Sequence, residues 1–199
     1  MNSDDDALFS ELVFLAEWWS GSDVIMYIEK EDFEQFYGKE HGYLIMNHAY
    51  DIDWLMGWVF CDRIRLLGNC KTYAKKVLQY IPTMGFAWKF GESVFLERNW
   101  DKDKAIIGKQ LTELLLLFAE GTRFSEHKHE ASMKFAKERG LPILKHHLSD
   151  IPRASMNTLL IGKPIVGHMF IQRIPLEQVP EGDTECANWL IELYQKKVN

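Results

Sequence analysis

The stretch that decides the fold is Tyr43-Leu44-Ile45-Met46-Asn47-His48-Ala49-Tyr50-Asp51-Ile52-Asp53. Its apolar start predicts a strand over residues 43–47, and the carboxylates that follow open a predicted helix over residues 51–67, ended by Gly68. A strand that passes into a helix within a few residues is typical of an α/β domain. Functional groups in such domains lie where strands end, which is the position of His48.

Strands and helices alternate in the same way along the rest of the chain. Further strands are predicted over residues 24–29, 93–97, 114–119, 141–147 and 165–174, and further helices over residues 7–19, 31–37, 74–80, 101–113, 130–139 and 183–197. This pattern predicts an α/β fold in which helices flank a mostly parallel or mixed central sheet. Residues 1–22 form an N-terminal apolar segment, and residues 23–199 are predicted to form a single domain.

The composition favours one folded core in a reducing compartment. The 199 residues are 47% hydrophobic, enough to bury one sizeable core, and the net charge of −6 argues against a general nucleic-acid binder. Three cysteines, an odd number without paired spacing, indicate neither a disulfide framework nor a zinc site. A local basic stretch is best explained as a solvated face and comprises Arg63, Arg65, Lys71, Lys75 and Lys76.

The N-terminal segment differs from a secretory signal. Residues 1–6 are acidic where such a signal would be basic, and no uncharged run reaches the roughly 18 apolar residues that a membrane span needs. Residues 7–19 are nevertheless strongly apolar and end in Trp18-Trp19, a pair suited to a membrane interface. Two interpretations stay open for them: a helix that lies in a membrane interface, or a helix packed on the domain's own core.

His48 with a carboxylate beside it is suited to deprotonate an alcohol, because histidine titrates near neutral pH and the carboxylate fixes its tautomer. Asp53 follows five positions later, which on a straight helix is roughly 140° of rotation and a different face. The pair therefore requires a turn between them, with Asp53 in the first turn of the helix. Asp51 competes for the contact and is equally well placed to cap the helix, so the start of the helix decides between the two.

A second candidate group follows the apolar strand predicted over residues 114–119. Glu120-Gly121-Thr122-Arg123 combines a glycine, which lets the backbone approach a ligand, with a guanidinium that offers a planar fork of donors. These features suit a phosphate. Arg98, at the end of the strand over residues 93–97, offers a second guanidinium. For both arginines the alternative is a surface ion pair, with Glu120 or Glu97 as the partner.

Histidines in the second half of the chain raise the alternative of a metal centre in a hydrolase. The residues concerned are His127, His129, His146 and His147, near Glu126 and Glu130. His127 and His129 fall in a polar segment that is predicted to be exposed. His146 and His147 are neighbours in a predicted strand, so their side chains point to opposite faces. We therefore predict that the chain has no metal site.

Four blocks of the sequence together resemble those of the glycerolipid acyltransferases. They are Asn47-His48 with Asp53, Phe95-x-x-Arg98, Glu120-Gly121-Thr122-Arg123, and Gly140-Leu141-Pro142. Within that family the chain is similar to the 1-acyl-sn-glycerol-3-phosphate acyltransferases, and residues 124–130 and 144–148 look like the gamma and delta group. The likeness runs over about residues 12–196.

The resemblance implies acyl transfer from acyl-CoA to the sn-2 hydroxyl of lysophosphatidic acid, giving phosphatidic acid at the endoplasmic reticulum membrane. It implies that His48 is the general base and that Asp53 holds the ring. The substrate-binding residues it implies, with the arginines on the phosphate, are Arg98, Glu120, Gly121, Thr122 and Arg123. No cofactor is implied, since acyl-CoA is a co-substrate, and the expected partners are the two substrates and the membrane surface.

Compared with that family, the chain looks shortened. The family carries a longer connection around residues 111–118 and a further core strand near residues 148–160. Because the loss of a central strand exposes backbone groups of its neighbours, an inactive or regulatory form that binds lipid or a partner is the alternative to an enzyme. The base and its carboxylate are both retained, which favours the enzyme.

Overall fold

Strands and helices alternate along the described part of the chain. The computed structural model of the protein describes residues 3–48, 50–81, 85, 88–89, 93–97, 99–107, 114–117, 127, 130, 133–134, 137–138 and 155–198. The strands are β1 (Asp23–Tyr27), β2 (Gly42–Ile45), β3 (Cys70–Lys75), β4 (Val94–Leu96), β5 (Leu114–Leu117) and β6 (Val166–Phe170). The helices are α1 (Ser3–Phe14), α2 (Lys30–Gln35), α3 (Asp53–Arg63), α4 (Trp100–Ile107), α5 (Met156–Leu160) and α6 (Asp183–Val198).

Every strand pairing among the described residues is parallel, and the predicted α/β class with flanking helices is confirmed. These strands fall into two sheets, one with the order β2-β5-β3-β4 and one that pairs β1 with β6. In the larger sheet Ile45 lies opposite Leu117, so β2 and β5 end side by side. Because all strands of the larger sheet run in the same direction, their carboxyl ends lie at one edge, where α/β proteins usually have their ligand-binding and active sites.

Helix α3 covers one face of the larger sheet. Gly57 lies so close to the sheet that a Cβ there would be 3.2 Å from the Leu116 side chain. One turn further along, the Sγ atoms of Cys61 and Cys70 are 3.0 Å apart, and both thiols are buried. The helix is thus held at a fixed depth against the sheet, and its first residue, Asp53, is held with it.

The predicted N-terminal helix is present as α1, and a π-helical turn over Leu15–Trp19 continues it. One face packs on the core, where Phe9, Val13 and Ala16 are buried and the Phe9 ring lies 4.3 Å from the ring of Trp58. Packing on the domain's own core, one of the two interpretations of this segment, therefore holds for that face.

The helix predicted over residues 51–67 is shorter than expected, since α3 ends at Arg63. Its last turn closes through bonds from Arg65 N–H to Asp62 O at 2.9 Å and from Leu66 N–H to Cys61 O at 2.8 Å. Arg65 has a φ of 60°, the left-handed conformation in which a glycine usually ends a helix. The predicted end, Gly68, instead lies in a short 3-10 segment over Leu67–Asn69.

The helix predicted over residues 74–80 is wrong in its first part, because residues 70–75 form β3 and only Lys76–Tyr80 is helical, as a 3-10 segment. β3 lies between β5 and β4 and has a hydrogen-bonding neighbour on each side. This ladder outweighs Lys71, Ala74 and Lys75, which are residue types depleted in strands. Lys71, which we expected on a solvated face, is accordingly buried, and its Nζ donates to Gly68 O at 3.3 Å.

The remaining elements agree with the sequence pattern where they are described. The strands over residues 24–29, 43–47, 93–97, 114–119 and 165–174 appear as β1, β2, β4, β5 and β6, and the helices over residues 31–37, 101–113 and 183–197 as α2, α4 and α6. In the helix predicted over residues 130–139 the described positions are helical, whereas the strand over residues 141–147 lies outside the described residues. Helix α5 is missing from the prediction, and Ser155 caps it by accepting from Thr158 N–H.

Candidate active site

The chain that leaves β2 carries His48 to the carboxyl edge of the larger sheet. Met46 N–H donates to Leu117 O at 3.0 Å, one residue beyond the end of β2. The chain then turns, and α3 begins at Asp53. His48 Nδ1 and Asp53 Oδ2 lie 3.1 Å apart, so this turn brings together two side chains that a straight helix would separate.

The turn itself fixes Asp53 from a second side. The same oxygen, Oδ2, accepts a hydrogen bond from Tyr50 N–H at 2.8 Å. Burial, and then the charge of Asp53, raise the pKa of the Tyr50 phenol. Sequence reasoning missed Tyr50, because its contribution is a backbone N–H that leaves no signature in the residue type.

The His48 ring is accessible while its partner is more shielded. The side chain of His48 is 22% exposed and that of Asp53 is 14% exposed. A carboxylate only accepts hydrogen bonds, so in the tautomer in which His48 donates to Asp53 the ring proton lies on Nδ1 and the lone pair on Nε2. Nε2 is therefore the atom that can take a proton from a bound hydroxyl group.

Asp51, the competing carboxylate, is used elsewhere. Its Oδ2 accepts from the Met156 N–H at 3.4 Å, which ties the start of α5 to the turn at residues 50–53. Ile52 is the residue that flanks the start of α3, and it makes no side-chain cap bond. The geometry therefore favours Asp53 as the partner of His48.

The predicted substrate-binding residues lie outside the described residues, and they are Arg98, Glu120, Gly121, Thr122 and Arg123. The strands that precede them are described, since β4 ends at Leu96 and β5 ends at Leu117. Both strands belong to the sheet that contains β2 and run parallel to it. The carboxyl ends of β4 and β5 therefore lie at the edge of the sheet that carries His48.

Two lysines hold Glu97, the residue before position 98. Its Oε1 contacts Lys76 Nζ, and its Oε2 accepts a hydrogen bond from Lys102 Nζ at 2.7 Å. The hydrogen bonds from Lys102 and then Lys76 lower the pKa of Glu97 to about 2. Asp103 is buried nearby, and sequence reasoning missed it because Asp101 and Asp103 look alike in a charged helix.

Neither a metal cluster nor a membrane-spanning helix occurs in the described ranges. No group of three or more histidine, cysteine, aspartate and glutamate side chains is arranged there to hold a metal ion. His127 is exposed, whereas His129, His146 and His147 lie outside those ranges. None of the described helices combines the length and the apolar character that a membrane span requires.

The parallel sheet and the strand-end histidine fit the family that sequence comparison identifies. The profile described as Acyltransferase matches residues 26–156, and the profile described as Acyltransferase C-terminus matches residues 158–198. The chain therefore belongs to the acyltransferase family. A solved structure, the 1-acyl-sn-glycerophosphate (LPA) acyltransferase PlsC from Thermotoga maritima, shares the fold with a TM-score of 0.54 at 18% identity, covering 100% of this chain and 82% of that one.

Particular relatives confirm the resemblance to the gamma and delta group. The chain is 37% identical to the 1-acyl-sn-glycerol-3-phosphate acyltransferase delta of Bos taurus, over 94% of this chain and 59% of the relative. It is also 37% identical to the gamma protein of Homo sapiens, over 96% of this chain and 60% of the relative. The chain thus spans about 60% of the length of the relatives it matches. The first alignment covers 226 positions against 199 residues here, so parts of the relative have no counterpart, as expected for a shortened chain.

Proposed function

We propose that this chain transfers an acyl group from acyl-CoA to the sn-2 hydroxyl of lysophosphatidic acid, giving phosphatidic acid, with His48 as the general base. The observation that carries the proposal is the contact of 3.1 Å between His48 and Asp53 at the carboxyl end of β2. Family membership supports acyl transfer, and the names of the relatives support a lysophosphatidic acid acceptor.

The proposed reaction needs one base. Nε2 of neutral His48 takes the hydroxyl proton while the oxygen attacks the thioester carbonyl carbon, a role typically worth about 10²- to 10⁴-fold. Asp53 keeps the ring oriented and balances the charge of the imidazolium. The C–S bond then breaks, and Nε2–H returns the proton to the sulfur of CoA. Because a thiol has a pKa of roughly 8.5, the thiolate leaves readily and no covalent acyl-enzyme is required.

The acceptor phosphate is proposed to bind Arg123, helped by Arg98, with Glu120 orienting Arg123 and Gly121-Thr122 allowing a close approach of the backbone. The strand order supports this assignment. β5 is the neighbour of β2, at a spacing of about 4.8 Å, and β4 lies two strands beyond β5. The sn-2 hydroxyl and the phosphate belong to one small headgroup, so they need groups at one edge of a sheet.

We also propose that the protein works on a membrane surface, and the resemblance points to the endoplasmic reticulum. An apolar patch supports surface contact. It is defined by the exposed side chains of Phe14, Leu15, Trp18, Trp19, Leu160 and Ile161. Trp19 Nε1 donates to Leu160 O at 3.1 Å, which joins the two segments of the patch into one surface.

The test is an acyl-transfer assay with purified protein, acyl-CoA and lysophosphatidic acid, following release of the CoA thiol. We expect turnover by the parent protein and a loss on the order of 10²- to 10⁴-fold in His48→Ala. His168→Ala is the matched control, since His168 is an exposed histidine on β6 outside the candidate site. An unchanged rate in His48→Ala would remove His48 from the mechanism.

A second candidate function is an inactive or regulatory form that binds lipid or a protein partner without turnover. The observation that favours it is that the alignment with a relative spans 226 positions, whereas this chain has 199 residues, so parts of the matched region are missing here. Binding of lysophosphatidic acid without any release of CoA would establish this function in place of the first. Activity that disappears with a chelator and returns with zinc would instead support the metal-dependent alternative.

A further inference from the structure

Asp103 is a buried carboxylate that holds the chain on both sides of position 98. It lies in α4 and is 4% exposed. Its Oδ1 accepts a hydrogen bond from the Glu97 N–H at 3.0 Å, and its Oδ2 accepts one from the Asn99 N–H at 3.0 Å. The residues that flank position 98 are therefore tied to a single side chain.

Capping of α4 does not account for both contacts. Asn99 already caps the helix, because its own Oδ1 accepts from the Asp101 N–H at 3.1 Å. The Glu97 N–H lies before this cap, so its bond to Asp103 stabilises the loop rather than the helix. A buried carboxylate requires such bonds, and charge-assisted bonds are roughly twice as strong as neutral ones.

The outer side of the same loop is held by charge. Glu97 contacts Lys76, which directly follows β3, and accepts from Lys102 of α4 at 2.7 Å. Together with Asp103, these contacts fix the loop to the carboxyl edge of the sheet from inside and from outside. A backbone that is fixed before an anion binds adds no ordering cost of its own, so binding costs only the freedom of the arginine side chain.

We propose that Asp103, with Glu97 on the outer side, is a positioning residue that holds Arg98 for the acceptor's phosphate. This inference rests on the proposed function, since it adds the residue that prepares one part of the phosphate site. Asp103 itself touches no substrate and acts only through the backbone on either side of Arg98.

The test uses Asp103→Asn, whose amide keeps one acceptor and places an NH₂ group against the second N–H. We expect the KM for lysophosphatidic acid to rise about tenfold, while kcat and the KM for acyl-CoA stay within twofold of the parent. Asp101→Asn is the matched control, because Asp101 is an aspartate of the same helix with an 88% exposed side chain, and we expect no change from it. A rise in both KM values would indicate general damage and overturn the proposal.

A double variant tests whether Asp103 acts through Arg98. In an Arg98→Ala background, Asp103→Asn should have no further effect on the KM for lysophosphatidic acid. An equal effect in both backgrounds would overturn the proposal. Glu97→Gln provides a second measurement should Asp103→Asn not fold, since Glu97 is on the surface: a smaller rise in the same KM is expected, and an unchanged KM would overturn the proposal.

A binding measurement separates this inference from the proposed reaction. Inorganic phosphate, titrated by NMR into the parent, Asp103→Asn and Arg98→Ala proteins, should bind more weakly to both variants. If the parent shows no turnover but binds phosphate more tightly than both variants, the proposed reaction is wrong and the positioning role of Asp103 stands. If the parent is active and Asp103→Asn behaves like Asp101→Asn in every assay, the reaction stands and the positioning role is wrong.

Discussion

In the proposed mechanism Asp53 acts on His48 as a carboxylate, and an amide cannot replace it. In Asp53→Asn the amide oxygen can still accept from Tyr50 N–H and from Nδ1–H, which share one carboxylate oxygen in the parent, but the side chain loses the charge that balances the imidazolium formed when Nε2 takes a proton. We expect kcat to fall on the order of 10²-fold or more, within the range of general-base catalysis, with the KM for acyl-CoA little changed. Initial rates at saturating substrate measure this effect.

Asp51→Asn is the control for that variant. Asp51 accepts a hydrogen bond from the Met156 N–H at 3.4 Å, a bond that an amide oxygen can also accept. We expect at most a modest loss of rate. A loss in Asp51→Asn as large as that in Asp53→Asn would show that the carboxylate partner of His48 has been assigned to the wrong residue.

Glu97 gives a prediction that needs no substrate. Its pKa is lowered from the ordinary 4.5 to about 2 by Lys102 and then Lys76, so the folded state favours the carboxylate. The contribution of Glu97 to stability is therefore fully present above about pH 4.5 and is lost as the pH falls towards 2. In Lys102→Met the pKa should rise towards 4.5, and by more than in Lys76→Met.

An NMR titration of the side-chain carboxyl carbon measures that pKa directly. Lys104→Met is the control, because Lys104 lies 3.5 Å from Asp101 and not against Glu97. We expect no shift in the Glu97 titration from this variant. A Glu97 pKa near 4.5 in the parent would contradict the two lysine contacts.

At the scale of elements, the turn after α2 depends on a glycine. Gly38 has a φ of 75°, and a Cβ there would overlap the carbonyl oxygen of Ile64, which flanks the end of α3. In Gly38→Ala the left-handed conformation alone costs roughly 1–2 kcal/mol, and the overlap adds to it. We expect the free energy of unfolding to fall by more than about 1 kcal/mol, measured by urea denaturation.

Gly21→Ala separates the two causes. Gly21 has a φ of 65°, but a Cβ there would meet only Pro164, at an ordinary 3.9 Å. The alanine should therefore cost the conformational part without the overlap, and Gly38→Ala should be the more damaging. Equal losses would mean that the contact between the turn and Ile64 is unimportant.

The elements also show where sequence reasoning succeeds and fails. Periodicity located β2 and β5 from their continuous apolar runs, and β5 fits that pattern best, because it lies between β2 and β3 and its Leu116 is buried. It missed β3, whose Lys71 and Thr72 are polar but buried in the sheet, since pairing on both sides decides that strand. It placed the end of α3 too late, because Arg65 rather than a glycine takes the left-handed position.

The candidate site likewise has features that the sequence predicted and features that it did not. The spacing of His48 and Asp53 predicted that a turn must join them, and the turn is present. Its other supports were not predictable from residue type: Tyr50 contributes a backbone N–H, and Asp103 acts through two more. Residues that act through hydrogen bonds with backbone N–H groups are hard to recognise in a sequence, because the fold and not the residue type decides which N–H groups lie near them.

At the scale of the whole molecule, the apolar patch that runs from Phe14 to Trp19 and includes Leu160 and Ile161 is suited to contact with a lipid surface. Glu17, the acid within this segment, pairs with Arg63 at 3.1 Å, so its charge is balanced by the protein. The indole N–H of Trp19 is bonded to Leu160 O, so its burial in an apolar medium leaves no unsatisfied donor. Trp18 is 76% exposed and is the side chain with most to gain from such burial.

Trp18→Ser should weaken binding to phosphatidylcholine vesicles on the order of tenfold, because burial of a large apolar side chain is worth about 1.5–3 kcal/mol. Co-sedimentation with vesicles measures the effect. Phe170→Ser is the matched control, since Phe170 is equally exposed at 76% but lies on β6 at the end away from the patch. If Trp18→Ser leaves vesicle binding unchanged but alters the mass of the protein in solution, the patch joins two copies of the chain instead. Equal losses in the two variants would mean that vesicles bind through general hydrophobicity, and the lipid-facing surface would then have to be sought elsewhere.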